Sequence, residues 1–378
     1  MSNLTDLNFK PYLAEAPYYT DETSLDILQT EYGLDEIVNV GSNENPLPPS
    51  PLVVEAIQQA TQTLNRYPAV MGDEDLRQAL AGAIGQGLTA DNFFSGNGGC
   101  DVLAMIATSF LSPGDSCIIC RPTFPIYDLT ARRAGATITY VDLEPDHFTY
   151  DVEAILAAIT ANTRLIYLCT PNNPTGTLLT ADQMATLVNN VPPHVLIVSD
   201  EVYYHFADSR NFPDSLAFVR RGKNVAVIHS LSKVFGLAGL RLGYAIAPPE
   251  IATYLSRVRQ PFHLSRLTIA AALAALNDKV HIDETIALVL AGRGWLQAQL
   301  ALLGLRTWPS QANFVLFLPP FPAEAVAERL MQRGIIVRPL AGFYMPDHLR
   351  VTVGLPQENV RFIAGLKQVL AEMNRKST

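Results

Sequence analysis

Between residues 90 and 250, seven apolar, β-branched runs alternate with helical segments, and this alternation restricts the fold more than anything else in the chain. The runs lie at 92–95, 116–120, 137–141, 165–169, 195–199, 225–229 and 244–247. Helical segments fill most of the intervals, at 102–110, 127–134, 152–159 and 181–188. Runs that stay apolar at successive positions belong to strands covered on both faces. Alternation of strand and helix predicts an α/β domain built on a largely parallel sheet. In such a domain the ligand crevice lies beyond the carboxyl ends of the strands.

The flanking segments follow other patterns. Residues 1–40 are irregular, with Pro11, Pro17 and a short helix predicted over 25–32. Pro46, Pro48, Pro49 and Pro51 crowd the stretch 41–51, which excludes regular structure there. Pro51 then suits the first position of a helix over 52–64, and a further helix is predicted over 76–84. After Pro248, helices are predicted over 251–259 and within 267–303. Short strands follow at 314–318, 335–338 and 349–353, with helices at 323–333 and 358–373. A chain of 378 residues is long for one core. The expected division is an arm over 1–40, a large domain over 41–265 and a smaller α+β domain over 266–378, with the arm joined to the smaller domain.

Composition narrows the partners. The chain is 48% hydrophobic and 17% charged, the balance of a packed globular protein. Net charge is −9 and no Lys/Arg block occurs, which argues against nucleic acid or an anionic membrane as partner. The longest apolar stretches, such as 267–276, fall short of a membrane span, and no basic-then-apolar leader pattern opens the chain. A cytoplasmic location is the expectation. Cys117 and Cys120 have the spacing of a metal or redox pair, but in a strand they point to opposite faces, and nothing completes a metal site around them. Cys100, Cys117, Cys120 and Cys169 are expected as free thiols in a reducing compartment.

The strand exits carry the unusual residues. The run at 225–229 leads into Ser230, Ser232 and Lys233, then Gly236, Gly239, Arg241 and Gly243. Alone, Lys233 would be a surface lysine after a strand. Beside buried strand ends it would be partly desolvated, and desolvation lowers its pKa toward that of a nucleophile. The segment from Gly96 to Asp101 (Gly-Asn-Gly-Gly-Cys-Asp) precedes a helix and forms either a phosphate cup or a plain turn; it lacks the dinucleotide glycine pattern. Phe124, fixed between Pro122 and Pro125, either stacks on a planar ligand or fills core. Asn172 and Asn173, in a rigid Pro-Asn-Asn-Pro-Thr-Gly turn, either bond a ligand oxygen or their own backbone. Asp200 ends an apolar strand and needs a cationic or N–H partner, which a pyridinium nitrogen would supply. Tyr203 follows three residues on. Arg350, inside a strand, meets either a planar carboxylate or a neighbouring acid. Together these are the parts of a pyridoxal-phosphate site: a Schiff-base lysine, a ring-nitrogen aspartate, a stacking aromatic, ring-oxygen donors and a phosphate cup.

These motifs, in this order over nearly the whole chain, resemble the fold-type-I, class I/II aminotransferases. Asn43-Glu-Asn-Pro46, Arg66-Tyr-Pro68, Asp200-Glu-x-Tyr203, the lysine motif, Arg259-x-Pro-Phe262 and Leu349-Arg-Val-Thr-Val-Gly354 carry the resemblance, most closely to the histidinol-phosphate branch. The resemblance implies the aspartate-aminotransferase type of fold, with a mostly parallel seven-stranded sheet and a smaller α+β domain. It implies pyridoxal 5'-phosphate as cofactor and a homodimer. Lys233 would hold the cofactor covalently and move the proton. Asp200 would pair with the ring nitrogen, and Asn173 and Tyr203 with the ring oxygen. Phe124 would stack on the ring. The backbone of Gly99 and Cys100, with Ser230, Ser232 and Arg241, would hold the phosphate, joined by Tyr67 acting in the partner subunit. Arg350 would take the carboxylate of 2-oxoglutarate, and Tyr12, Asn43, Phe262 and Tyr344 the rest of the substrate. The chain departs from the family at Cys100, where an acid is usual, and at Phe343-Tyr344, which is bulkier than the usual Tyr-Gly.

Four readings of function follow from that resemblance. The first is transfer of the amino group of L-histidinol phosphate to 2-oxoglutarate. The second is transamination of aromatic amino acids, with Phe262, Phe343 and Tyr344 around the ring. The third is a lyase of the phosphothreonine-decarboxylase kind. The fourth, from a different class, is a PLP-sensing protein without turnover, against which an intact Lys233 and Asp200 speak.

Overall fold

The structure, a computed structural model, describes residues 10–13, 25–34, 36–68 and 73–377. In chain order the strands are β1 (Val38–Asn39), β2 (Phe93–Gly96), β3 (Ser116–Arg121), β4 (Thr137–Asp142), β5 (Thr163–Cys169), β6 (Leu196–Asp200) and β7 (Val225–Ser230). They continue with β8 (Gly243–Ile246), β9 (Arg306–Thr307), β10 (Phe314–Leu318), β11 (Ile335–Ile336), β12 (Arg338–Pro339) and β13 (Leu349–Thr352).

The seven predicted runs form one sheet, in the order β2-β8-β7-β6-β5-β3-β4. Every pairing from β7 to β4 is parallel, and β8 runs antiparallel to both β2 and β7. Side chains divide between its faces with period two. Ile118, Cys120, Ile166, Leu168, Ile197 and Val227 enter one core, while Cys117, Ile119, Leu165, Tyr167, Val198 and Ile228 enter the other. Cys117 and Cys120 therefore lie on opposite faces, and burial pushes both thiols up to about 12. All four cysteines are unpaired. Burial on both sides explains why β5, β6 and β7 tolerate no alternation.

A second sheet, in the order β12-β13-β10-β9, is antiparallel throughout. The predicted strand over 335–338 is two strands: Ile335–Ile336 pairs in parallel with Val38–Asn39, and Arg338–Pro339 pairs with β13. The first pairing, with Arg361 on Glu36 at 2.7 Å, ties the segment before residue 40 to this second sheet. The predicted helical stretch over 267–303 is two helices, Arg266–Asn277 and Lys279–Leu302. Asp278 breaks it by leaving the helical conformation and accepting the His281 amide at 3.1 Å. The helix predicted over 251–259 is Pro249–Leu255, and a helix at Ser215–Arg220 and the strand β9 were not predicted. Pro51 starts its helix as expected, with Ser50 as cap.

Ala271, Ala272 and Ala275 of the Arg266–Asn277 helix are buried in the core of the seven-stranded sheet. Leu296 and Leu300 of the next helix are buried with the second sheet, beside Val38 and Val40. We propose on this packing that the division between the units falls within the Lys279–Leu302 helix instead of at residue 266. Among the described residues no helix is long and apolar enough to cross a membrane, and no group of His, Cys, Asp and Glu is placed to hold a metal ion.

Candidate active site

A cavity of about 250 Å³ opens where the exits of β2, β3, β5, β6 and β7 face the second sheet. Its lining includes Asn43, Gly99, Cys100, Phe124, Asn173, Asp200, Tyr203, Ser230, Ser232, Lys233, Arg241 and Arg350, each singled out from the sequence. Most follow strands of the seven-stranded sheet whose carboxyl ends share one edge, while Asn43 and Arg350, about three hundred residues apart, approach from the side of the second sheet.

Lys233 follows β7 by three residues. Its Nζ donates to the Asn43 carbonyl at 2.9 Å and lies 5.3 Å from the centre of the Tyr203 ring. Burial, helped by the nearby Arg350 charge, pulls the ammonium down to about 8. The amine is therefore substantially neutral near pH 8, as a nucleophile or proton carrier requires.

Asp200 closes β6 with 4% of its surface exposed. Oδ2 accepts from the Tyr127 hydroxyl at 2.7 Å, and Oδ1 accepts from the Val202 amide at 3.3 Å. Burial raises its carboxyl to about 6, against the opposing pull of the Tyr127 hydrogen bond. Tyr127 sits on the helix Ile126–Arg133, its ring stacked on Tyr167 at 5.2 Å. The sequence reading took Tyr127 as a helix residue only; its place three positions after Phe124 was the available signal.

The loop after β2 turns at Gly98, at φ 93°, into the helix Gly99–Phe110. A β-carbon at Gly98 would lie 2.4 Å from Nη2 of Arg241, and one on Gly243 would lie 2.4 Å from the Gly99 amide nitrogen. Glycine is therefore required at both positions for backbone and guanidinium to converge. Arg241 is left-handed at φ 54° and its Nη1 donates to the Ala238 carbonyl at 2.9 Å. Ser230 Oγ donates to the Leu242 carbonyl at 3.1 Å and accepts the Ser232 amide at 3.1 Å, tightening the turn that leads to the lysine. Burial raises the Cys100 thiol, with Arg241 pulling the other way, so this position adds no anion to the cup.

The two asparagines separate. Asn172 is used locally: it accepts from Thr123 Oγ1 at 2.8 Å and donates to the Pro122 carbonyl at 2.9 Å and to Thr175 Oγ1 at 2.8 Å. Asn173 faces the cavity, and its Oδ1 accepts from Arg350 Nη1 at 2.5 Å. Arg350 is 3% exposed and also donates to the Gly41 carbonyl at 2.7 Å. Asn43, at φ 54°, joins the two sheets: its amide donates to Thr352 Oγ1 at 2.9 Å and its side chain donates to the Tyr203 hydroxyl at 3.0 Å. Asparagine accepts this left-handed backbone at small cost.

Arg338 and Glu44 also line the cavity and were not singled out from the sequence. Arg338 is the cross-strand partner of Arg350 in the β12–β13 pairing. The signal was a second arginine in a short predicted strand, but only strand pairing brings it beside the first.

Three residues expected around the substrate, Tyr12, Phe262 and Tyr344, do not line this cavity, and Tyr67, expected to act in the partner subunit, lies outside it too. Tyr12 lies against Gly135, where a β-carbon would be 3.1 Å from its ring. Tyr67 is 78% exposed and stacks on Phe262 at 4.9 Å, outside the cavity lining. Tyr344 turns outward because it takes a left-handed φ of 64° at the end of the turn Ala341–Phe343. Its neighbour Phe343 lines the cavity in its place.

A sequence profile of the family "Aminotransferase class I and II" matches residues 35–365. This chain belongs to that family. It is 40% identical to the histidinol-phosphate aminotransferase of Symbiobacterium thermophilum over 363 residues, 96% of this chain and 97% of that protein. The aminotransferase superposes on the crystal structure of histidinol-phosphate aminotransferase from Sinorhizobium meliloti, in complex with pyridoxal-5'-phosphate. The TM-score is 0.87 at 28% identity, covering 97% of this chain and 98% of that one. Thermus thermophilus aspartate aminotransferase with maleate, at TM-score 0.82 and 23% identity over 97% of this chain and 99% of that one, shares the fold. The fold is thus the α/β aspartate-aminotransferase type.

Proposed function

We propose that this aminotransferase uses pyridoxal 5'-phosphate to move the amino group of L-histidinol phosphate to 2-oxoglutarate. The cavity fits such a cofactor. Its glycine cradle at Gly98 and Gly243 leaves room for an anion against the helix start at Gly99, with Arg241 alongside. Asp200, buried with a carboxylate oxygen held by only one long amide bond, suits a cationic ring nitrogen. Lys233 is the lone lysine of the lining, which Phe124 and Asn173 share. Bound there, pyridoxal phosphate supplies an electron sink for the pair released when a Cα–H bond breaks.

The chain's own groups take separate parts in this reading. Lys233, held toward the neutral amine by burial, accepts and returns the proton. Asp200 keeps a ring nitrogen protonated, and Tyr127 keeps Asp200 in place. Tyr203 and Asn173 direct polar atoms at a ring oxygen, Phe124 supplies a flat apolar wall, and Ser230, Ser232 and the backbone of Gly99 and Cys100 complete the cup.

The observation that carries the substrate class is the pair Arg338 and Arg350, adjacent across β12 and β13 and lining one cavity. Lys233, Arg241, Arg338 and Arg350 face two carboxylates, Asp200 and Glu44, so the lining carries more cations than anions. Lys233 and Arg241 belong to the strand-exit loop after β7, and Arg338 and Arg350 to the second sheet. That arrangement suits a phosphorylated cofactor together with a substrate bearing a phosphate or a distal carboxylate. Phenylalanine offers the second pair its α-carboxylate alone and has no distal anion. Phe343 in the lining is the observation that favours an aromatic amino acid instead.

The homodimer belongs to the same reading. Tyr67 and Phe262 form an exposed stack, and Arg266 braces it by donating to the carbonyls of Arg66 and Tyr67 at 3.0 and 2.7 Å. With exposed Leu52 and Leu64 nearby in sequence, this suits a surface covered by a second copy, with Tyr67 reaching the partner's phosphate cup. The unpaired cysteines suit a cytoplasmic location.

The test is a visible spectrum of the cofactor-loaded enzyme mixed with L-histidinol phosphate and no keto acid. Full conversion to the pyridoxamine form is expected, with phenylalanine slower. An unchanged spectrum with histidinol phosphate and conversion with phenylalanine would make the aromatic reading correct. Release of carbon dioxide from phosphothreonine without a keto acid would make it a lyase.

A further inference from the structure

The loop closing the cavity from the second sheet sends two adjacent aromatic rings in opposite directions. Ala341–Phe343 form a tight turn, with the amides of Phe343 and Met345 both donating to the Leu340 carbonyl, at 2.9 and 3.0 Å. Phe343 is buried in the cavity wall, its ring 5.7 Å from the guanidinium carbon of Arg350. Tyr344, next in sequence, holds φ 64° with 54% of its surface exposed. A tyrosine is unfavourable in that conformation, and burial does not hold it there.

What meets the Tyr344 ring is a platform on the other sheet. The guanidinium carbon of Arg121 lies 5.2 Å from the ring centre, and the Tyr140 ring approaches edge-on at 6.3 Å. The platform is itself fixed. Arg121 stacks on Tyr140 at 4.1 Å and donates to Asp142 at 3.0 Å. The Tyr140 hydroxyl donates to Asp128 and accepts from Arg132 Nη2 at 3.1 Å. Arg121 ends β3, and three residues later the same exit presents Phe124 to the cavity. A single contact between the sheets thus sits one residue from the Phe343 wall and three residues from the Phe124 wall.

We propose that Tyr344 is a positioning residue: its contact with Arg121 and Tyr140 pins the 341–344 loop to the β3 exit and so holds Phe343 as the wall over Arg350. The pin sets affinity for the anionic end of the substrates without touching the reacting atoms. It rests on the proposed function only in taking 2-oxoglutarate as an anion that reaches Arg350.

The experiment compares Tyr344→Gly, Tyr344→Phe, Arg121→Gln and the Tyr344→Gly/Arg121→Gln double variant in the cofactor-loaded enzyme. Glycine suits the left-handed backbone, so the thermal midpoint of Tyr344→Gly should equal or exceed the parent's. KM for 2-oxoglutarate is expected to rise about two- to fivefold in Tyr344→Gly and in Arg121→Gln, the span of one half-exposed cation–π contact, with kcat little moved. The double variant should be no worse than either single one, and Tyr344→Phe, which keeps the ring but loses the hydroxyl that bonds Tyr140, should raise KM less than Tyr344→Gly. Hydrogen exchange without substrate should speed up in Tyr344→Gly at the amides of residues 341–345 and of Thr123 and Phe124. Faster exchange in an enzyme that does not turn over 2-oxoglutarate would support the pin and overturn the substrate reading alone. Unchanged exchange, or KM effects that multiply in the double variant, would overturn the pin.

Discussion

Arg241 and Arg350 present guanidinium groups to the same cavity, and the chain holds them by opposite means. Arg241 is an exposed residue whose Nη1 bonds the Ala238 carbonyl three residues back, with a neighbouring glycine leaving it space. Arg350 is buried in β13, and its partners are Asn173 and Gly41, on segments 177 and 309 residues away. The first is a local device, complete within one loop and the helix start it faces. The second exists only when two sheets and the chain before residue 45 have come together. The strand-exit half of the cavity therefore carries the chemistry on a rigid sheet edge, while the second sheet supplies affinity through long-range contacts.

The largest effect that could break this contrast is at Lys233. Lys233→Ala should lower kcat by about 10⁴-fold or more and abolish covalent attachment of the cofactor, since both nucleophile and proton carrier are lost. Mass spectrometry after borohydride treatment and steady-state kinetics would check it; a variant retaining a hundredth of normal turnover would refute the assignment. On the other half, Arg350→Lys and Arg338→Gln should raise KM for 2-oxoglutarate by about 10- to 100-fold, the worth of charge-assisted hydrogen bonds, with kcat moved much less. Equal losses in kcat and in affinity would erase the distinction between the halves.

A smaller effect tests the support beneath Asp200. Tyr127→Phe should destabilise the cofactor-free protein by about 1–3 kcal/mol at pH 8, measured by urea unfolding, because an ionised buried carboxylate loses its best donor. The sign with pH follows from linkage. Folding raises Asp200 from 3.8 to about 6, so the folded state binds its proton more readily. The contribution of Asp200 to stability is then greatest below pH 4 and is lost as pH rises through 6. The Tyr127 bond offsets that loss in the ionised form, so the cost of Tyr127→Phe should shrink at pH 5. A cost independent of pH would mean that Tyr127 acts by packing on Tyr167 alone.

Much of the strand-exit half could be read in advance. Its strands are continuous apolar runs, its turns contain Gly and Pro, and its polar residues stand immediately after each run, so local order put Lys233, Asp200, Phe124 and the glycine segment at the strand exits, while their roles came from the family resemblance. What could not be read has a common cause. Asn172 and Asn173 are neighbours of one type, and only packing shows that Thr123 and Thr175 use up the first while Arg350 meets the second. Tyr127 looked like any aromatic on a buried helix face until its hydroxyl reached Asp200. Tyr344 sits where the resemblance implies the substrate pocket, yet it takes a left-handed backbone and lies outside the cavity lining.

By itself, then, the sequence determined the parallel sheet, the edge on which its strands end and the placement of Lys233 and Asp200 there, because hydrophobic period and turn chemistry act over a few residues. The tertiary structure alone decided that Arg338 stands beside Arg350, that Asn43 bridges Lys233 and Tyr203, and which of two adjacent rings closes the cavity. The first depends on the register of two strands twelve residues apart, the second on contacts 160 and 190 residues away in sequence, and the third on the backbone dihedrals of one turn, and hydrophobic period encodes none of them.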